Sequence, residues 1–553
     1  MSEAEDRKPR SDEARATFDP EITSEFAIPE GLAVARGSGE SETTSEFAVP
    51  KGLESAQTET EPEGSAFNTP RTYSAKDAPP AFTPATGIPM ITLVTDAPWQ
   101  DRMRTMLRMP VAERPALEPV ARSEDEGPAV PRVLDLTLRI GELLLAGGEG
   151  AEDVEAAMFA VCRSYGLDRC EPTVTFTLLS ITYQPSLVED PVTASRTVRR
   201  RGTDYTRLAA VFRLVDDITD PETHLSLEEA YRRLAEMRRN RHPYPGWALT
   251  MASGGLAGAA SVLVGGDAIV FVAAAVGAML GDRLAWLLAG RGLPEFYQFT
   301  VAAMPPAAIG VAFALADVDV KASAVVTGGL FALLPGRALV AGVQDGLTGF
   351  YITASARLLE VMYFFVAIVI GVLTVLYLGV QVGGELNPDA ALNIQSRPVL
   401  QILASMVLSL TFAVLLQQER STVLWVTLNG GVAWSVYGAL HYTPADISPV
   451  ASTAVAAGLV GLFGQLLARY QFASALPYTT AAIGPLLPGS ATYFGLLSIA
   501  QSQVDKGLVS LAKAVSLAMA IAIGVNLGSE ISRLTLRIGS AGKRRAAKRT
   551  RGF

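Results

Sequence analysis

Leu333-Leu334-Pro335-Gly336, set inside an apolar stretch, returns 153 residues later as Leu486-Leu487-Pro488-Gly489. The same offset of 153 carries Ala367-Ile368-x-Ile370-Gly371-Val372 onto Ala520-Ile521-x-Ile523-Gly524-Val525. One offset shared by two separated motifs indicates a duplicated unit rather than chance likeness between apolar segments. Proline removes an amide donor, so each Pro-Gly predicts a break in an apolar helix that frees backbone polar groups to line a cavity. The plainer alternative is a pair of kinks used for helix packing. Pro305-Pro306 has no counterpart in the second unit and reads as such a kink.

Around these motifs lie apolar stretches of spanning length. Five fall near 246–265, 268–289, 296–316, 322–342 and 354–380, and five more near 398–417, 421–440, 448–468, 477–499 and 507–531. Asp282-Arg283 interrupts the second stretch and Pro335-Gly336 the fourth. The 153-residue shift lays the first five on the second five. An odd number of spans per unit requires the two units to be inverted, and inverted repeats with interrupted helices are the architecture of secondary transporters. Charge agrees with this count. Arg291, Arg337, Arg357, Arg420, Arg469 and Lys543-Arg544-Arg545 fall on the inner side. The outer loops hold Lys321, Arg397 and Lys506 beside Asp267, Asp317, Asp319, Glu385, Asp389, Asp446 and Asp505. This is the positive-inside bias, with both termini cytoplasmic.

The rest of the chain differs sharply. Of 553 residues 49% are hydrophobic, but up to about residue 130 the sequence is rich in Glu, Ser, Thr and Pro and cannot build a core. Most of the formal charge of −9 sits in this tail, so it implies no nucleic-acid partner for the folded part. No apolar stretch opens the chain, which predicts no cleaved signal peptide. Thr23 to Leu32 recurs as Thr44 to Leu53, either a docking motif for a cytosolic partner or drifted low complexity. Trp99 to Met109 sets Trp99, Met103, Met106 and Leu107 against Arg102, Arg104 and Arg108, predicting a helix on an anionic membrane surface.

A small α/β domain is expected next: helices over 134–145 and 151–165, strands over 174–183 and 193–201, and helices over 205–215 and 227–239. Cys162 and Cys170 fall within it and make neither a disulfide framework nor a zinc site. The expected fold is thus a polytopic α-helical membrane protein of two inverted five-helix repeats behind a disordered tail and this domain. Its divisions are 1–130, 131–243, 244–380, 398–531 and a basic cytosolic tail over 532–553.

Pro335, Gly336, Pro488 and Gly489 are the first candidates for a substrate pathway, joined by Gln344, Asp345 and Asn429 as polar groups at membrane depth. Asp282, Asp345, Glu360 and Lys513 are the candidates for ion or proton coupling, with snorkelling near helix ends as the alternative. Glu142, Glu149, Glu152, Asp153 and Glu155 beside Thr173, Thr175, Thr177 and Ser180 admit a hydrolase reading, but His224 and His242 sit in no nucleophile or metal motif. Regulation or gating suits this domain better, and no cofactor or metal is indicated. A membrane receptor or scaffold is a further reading; an anchor, though, needs neither ten spans nor broken repeats.

Leu138-Arg139-Ile140-Gly141-Glu142-Leu143-Leu144-Leu145-Ala146-Gly147-Gly148-Glu149-Gly150-Ala151-Glu152-Asp153-Val154 resembles the opening of the cytosolic domain of the threonine/serine exporter family. Tyr244-Pro245-Gly246-Trp247 and the five-plus-five membrane region are similar to that family as well. Glu149 departs from the small residue expected at its position. The resemblance covers about residues 131 to 531 and implies efflux of L-threonine and L-serine across the plasma membrane, driven by the membrane gradient. No ATP-binding phosphate loop is present, in keeping with that. Relatives with the two halves on separate chains resemble dicarboxylate exporters, so succinate-like substrates are the alternative. Membrane lipid is the other implied partner, and an oligomer is compatible with the sequence.

Overall fold

The computed structural model describes residues 99–107, 130–186, 188–199, 202, 204–220, 223, 225–239, 244–318, 320–383, 397–442, 447–470, 474–500 and 502–550. The duplicated tail motif, Arg108, His224, His242, Asp319, Glu385, Asp389 and Asp446 lie outside these residues.

Chain order begins with α1 (Trp99–Leu107), α2 (Val130–Ala146) and α3 (Ala151–Ser164), followed by β1 (Cys170–Thr175), β2 (Leu178–Tyr183) and β3 (Val192–Thr197), then α4 (Tyr205–Thr219) and α5 (Leu227–Arg239). The strands form one antiparallel sheet in the order β1-β2-β3, with Thr175 paired to Leu178 and Leu178 to Thr197. The single strand expected over 174–183 is therefore the turn and second arm of a hairpin. Phe176 makes the turn at φ 48°, a conformation usually supplied by Gly or Asn. Its amide donates to Thr353 Oγ1 at 3.1 Å, so a distant helix holds a turn that the local sequence does not announce. Both cysteines are buried and unbridged.

Helices α6 (Gly246–Leu263), α7 (Ala268–Gly290), α8 (Glu295–Leu315), α9 (Ala322–Phe331), α10 (Gly336–Leu347) and α11 (Tyr351–Gln381) make the first apolar half. The second comprises α12 (Pro398–Leu415), α13 (Arg420–His441), α14 (Pro449–Tyr470), α15 (Leu476–Thr480), a 3₁₀ turn (Gly484–Leu486), α16 (Gly489–Ala500) and α17 (Val504–Thr550). Among the described residues eight helices are long and apolar enough to cross a membrane: α6, α7, α8, α11, α12, α13, α14 and α17. The protein is a mostly helical, multi-pass membrane protein. Stretches 322–342 and 477–499, expected as spans, are each interrupted before the Gly of Leu-Leu-Pro-Gly, the first into α9 and α10 and the second into α15, the 3₁₀ turn and α16. Asp282-Arg283, by contrast, leaves α7 continuous, and α17 runs from Val504 to Thr550.

The 153-residue shift carries the starts of α10 and α11 onto those of α16 and α17. Neighbours correspond too: α8 packs on α11 as α14 does on α17, and α10 packs on α17 as α16 does on α11. The second repeated motif explains the tight seams. A Cβ on Gly371 would strike the Thr300 carbonyl oxygen, and one on Gly524 the Ala454 carbonyl oxygen. Small residues let helix backbones approach where lipid offers no hydrophobic drive. Pro306 likewise packs against Gly277 and Gly329 inside an unbroken α8.

Candidate functional site at the junction of the two halves

Helix α2 ends in a left-handed cap. Gly148 sits at φ 91°, and the Glu149 amide donates back to the Leu144 carbonyl at 3.2 Å, as in a Schellman motif. This turn pushes Glu149 and the start of α3 against the apolar halves. Asp345 Oδ1 accepts from the Ala151 amide at 2.9 Å, satisfying a free donor at the α3 N-terminus. Its other oxygen lies 3.1 Å from Arg357 Nη1, and Arg357 Nη2 donates to the Glu149 carbonyl at 2.8 Å. All of these groups are buried, so the ion pair has little competition from water.

The Glu149 side chain reaches the other half, where Ser474 Oγ lies 3.2 and 3.0 Å from its two carboxylate oxygens. Burial, opposed by the Ser474 hydrogen bond and by Arg104 and Arg357, pushes the Glu149 carboxyl up to about 7. Glu155 also rises to about 7 through burial, although its carboxylate accepts from the Val174 amide at 2.9 Å.

A second set of contacts ties the α/β layer to the second half. The Tyr205 and Thr206 amides, at the start of α4, donate to the Leu416 and Gln417 carbonyls at 3.1 Å each, pairing the spare donors of one helix with the spare acceptors of α12. Arg213 pairs with Glu419 beside them, and Gln418 Nε2 donates to the Pro477 carbonyl at 2.7 Å. The layer thus grips α10 and α11 on one side and the α12–α13 turn on the other.

Between these grips lies a cavity of about 320 Å³, whose lining includes Glu149, Asp153, Gln344, Ser474, Arg469 and Arg533. α1 closes one wall. Trp99, Asp101, Met103 and Met106 are buried, Arg104 pairs with Asp153, and Asp101 Oδ2 lies 2.6 Å from Arg469 Nη2. The expected membrane-surface helix is therefore docked on protein, its apolar side satisfied by Phe212 and neighbouring residues rather than by lipid. Burial is the largest influence on Arg104 and lowers its guanidinium to about 10.

The two Pro-Gly breaks meet. A Cβ on Gly336 would lie 2.8 Å from Leu487 Cδ2, and one on Gly489 2.5 Å from Phe331. Pro335 caps α10, and Pro488 accepts at its carbonyl from Thr492 Oγ1 at 2.9 Å. Of the other sequence candidates, Gln344, Glu149 and Asp153 line the cavity, Gly150 lies directly against Gln344 and Asp345, and Gly148 makes the α2 cap. The remainder lie elsewhere. Gly141 packs on Met158, and Glu142 pairs with Arg196 and Arg238 at 2.6 and 3.0 Å. Asn429 donates to the Val460 carbonyl at 3.3 Å within the second half. Asp282 accepts from Thr250 at 3.0 Å, Glu360 is half-buried on α11, and Lys513 is exposed on α17. Asp101, Arg104, Arg533 and Ser474 escaped the sequence reading as site residues, since the charged side of an amphipathic α1 suits solvent or a lipid surface as well as protein.

A family model described as "Putative threonine/serine exporter" matches residues 135–379, and "Threonine/Serine exporter, ThrE" matches 401–531. The chain is 34% identical over 408 residues to a Mycobacterium tuberculosis protein named "Probable threonine/serine exporter", covering 72% of this chain and 76% of that one. The chain belongs to the threonine/serine exporter family. A second member, the "Threonine/serine exporter" of Corynebacterium glutamicum, is 31% identical over 419 residues, 73% of this chain and 83% of its own. No solved structure matches. Both family models stop short of α1, so the helix that closes the cavity lies beyond the part by which the family is recognised.

Proposed function

We propose that this protein exports small amino acids of the threonine and serine class across the plasma membrane, as a gradient-driven secondary transporter working by alternating access. The observation that carries this reading is the meeting of the two Leu-Leu-Pro-Gly breaks, Gly336 against Leu487 and Gly489 against Phe331. Equivalent interrupted helices touching at the interface of two halves are what a midplane pathway between inverted repeats requires. In this reading the broken pieces line the path, and the α/β layer, hydrogen-bonded to both halves, latches one of the alternating states on the cytosolic side. Among the coupling candidates Asp345 is the one at that latch, held there by Arg357 and the Ala151 amide. Naming of the relatives supports amino acids over dicarboxylates.

The test is efflux of preloaded, labelled L-threonine, and of succinate, from cells lacking their own exporters, with and without an uncoupler. Threonine efflux that collapses with the uncoupler and falls at least about tenfold in Gly336→Leu and Gly489→Leu is the expected result, because a branched side chain overfills each contact. Succinate efflux in its place would overturn the substrate class. Efflux of neither would overturn the transport reading.

A further inference from the structure

Asp101 is placed as a ligand would be. Its carboxylate, 4% exposed, lies 2.6 Å from Arg469 on α14, 3.6 Å from Arg104 on its own helix and 3.8 Å from Arg533 on α17. It is delivered by a nine-residue helix that belongs to neither apolar half. Two guanidiniums from different helices converging on one carboxylate at the edge of a cavity is the arrangement by which proteins take a free carboxylate. The same cavity, at about 320 Å³ near the small end of ligand sites, also presents carboxylates from Glu149 and Glu152, while Glu530 at its edge pairs with Arg533 at 2.5 Å.

The geometry points to a loading site for a zwitterionic α-amino acid, with Arg469 and Arg533 holding its carboxylate and the acidic wall its ammonium, and with Asp101 of α1 seated as a displaceable stand-in when cargo is absent. This deepens the export reading above and rests on it. Charge decides the class of cargo. A zwitterion brings one charge of each sign to a lining in which guanidiniums and carboxylates alternate, whereas a dicarboxylate sets its second negative group beside carboxylates, a like-charge arrangement that disfavours binding. Cargo must also displace α1. While α1 is seated only the fraction of molecules with the site open can bind, so the apparent affinity is lowered by that fraction.

The experiment measures threonine efflux against internal threonine concentration in cells producing the full chain at matched membrane levels. Asp101→Asn, which weakens the stand-in, is expected to lower the half-saturating concentration at least about threefold, and Asp101→Glu to leave it near that of the unaltered protein. Arg469→Gln is expected to raise it about tenfold while the maximal rate is kept. An unchanged half-saturating concentration in both Asp101→Asn and Arg469→Gln, with the unaltered protein exporting threonine, overturns the site and leaves the export reading standing. Loss of export in Asp101→Asn alone makes Asp101 a strap rather than a competitor and also overturns it. No threonine efflux from the unaltered protein removes the export reading and this proposal together.

Discussion

Asp345 and Arg357 show what a charged pair does when both partners are 4% exposed or less. Each is committed twice: Asp345 to Arg357 and the Ala151 amide, Arg357 to Asp345 and the Glu149 carbonyl. Removing one partner strands the other without solvent, which costs about 3–5 kcal/mol, more than the pair itself contributes. Asp345→Ala and Arg357→Ala are therefore each expected to lower the thermal midpoint of the detergent-purified protein by several degrees. The double variant Asp345→Leu with Arg357→Met should recover part of the loss, though not all, because the Ala151 amide and Glu149 carbonyl still lose their partners. Equal loss in the double and single variants would show that no buried charge was being stranded. Glu149 belongs to the same group of contacts. The departure from the expected small residue is matched by Ser474 in the second half, whose hydroxyl lies within 3.2 Å of both its oxygens.

Among the elements, the two motifs that repeat have different physical duties. Leu-Leu-Pro-Gly leads into the starts of α10 and α16, whereas the Ile-x-Ile-Gly-Val pair brings α11 and α17 against α8 and α14. Gly371→Ala and Gly524→Ala are predicted to destabilise to similar extents, about 1–3 kcal/mol each, since even a methyl group must displace a facing backbone carbonyl. Thermal melts of the two variants in one detergent measure it; a neutral result at both would mean the helices can part without loss. Duplication, the break sites and most helix positions were legible in the sequence because apolar periodicity and Pro-Gly act locally. The hairpin turn at Phe176 was not, since its amide partner is Thr353, 177 residues away. The same holds for α1: its amphipathic pattern fits lipid or protein equally, and only the contacts of Asp101 with Arg469 and of Arg104 with Asp153 decide between them. Gln344 and Asp345 were legible as polar groups in apolar surroundings and Glu149 as one of an acidic cluster, but their convergence depends on the docking of one layer on another.

At the scale of the molecule, α10 packs on α17 and α16 on α11, as two related halves would, and alternating access further requires those halves to be inverted. Pro245 and Pro398 test it cleanly, because they occupy equivalent positions 153 residues apart and both are exposed at the starts of α6 and α12. In two parallel halves these positions would face the same side of the membrane; in inverted halves they face opposite sides. Cysteine placed at 398 is expected to react with a membrane-impermeant thiol reagent in intact cells, and cysteine at 245 only after permeabilisation, with buried Cys162 and Cys170 contributing little background. Labelling of both from the outside, or of both only after permeabilisation, would show parallel halves. The α/β layer fixes the expected direction: it bonds to Leu416 and Gln417 after α12 and to Arg357 near the start of α11, so the end of α12 faces the layer and its beginning at Pro398 lies on the opposite face.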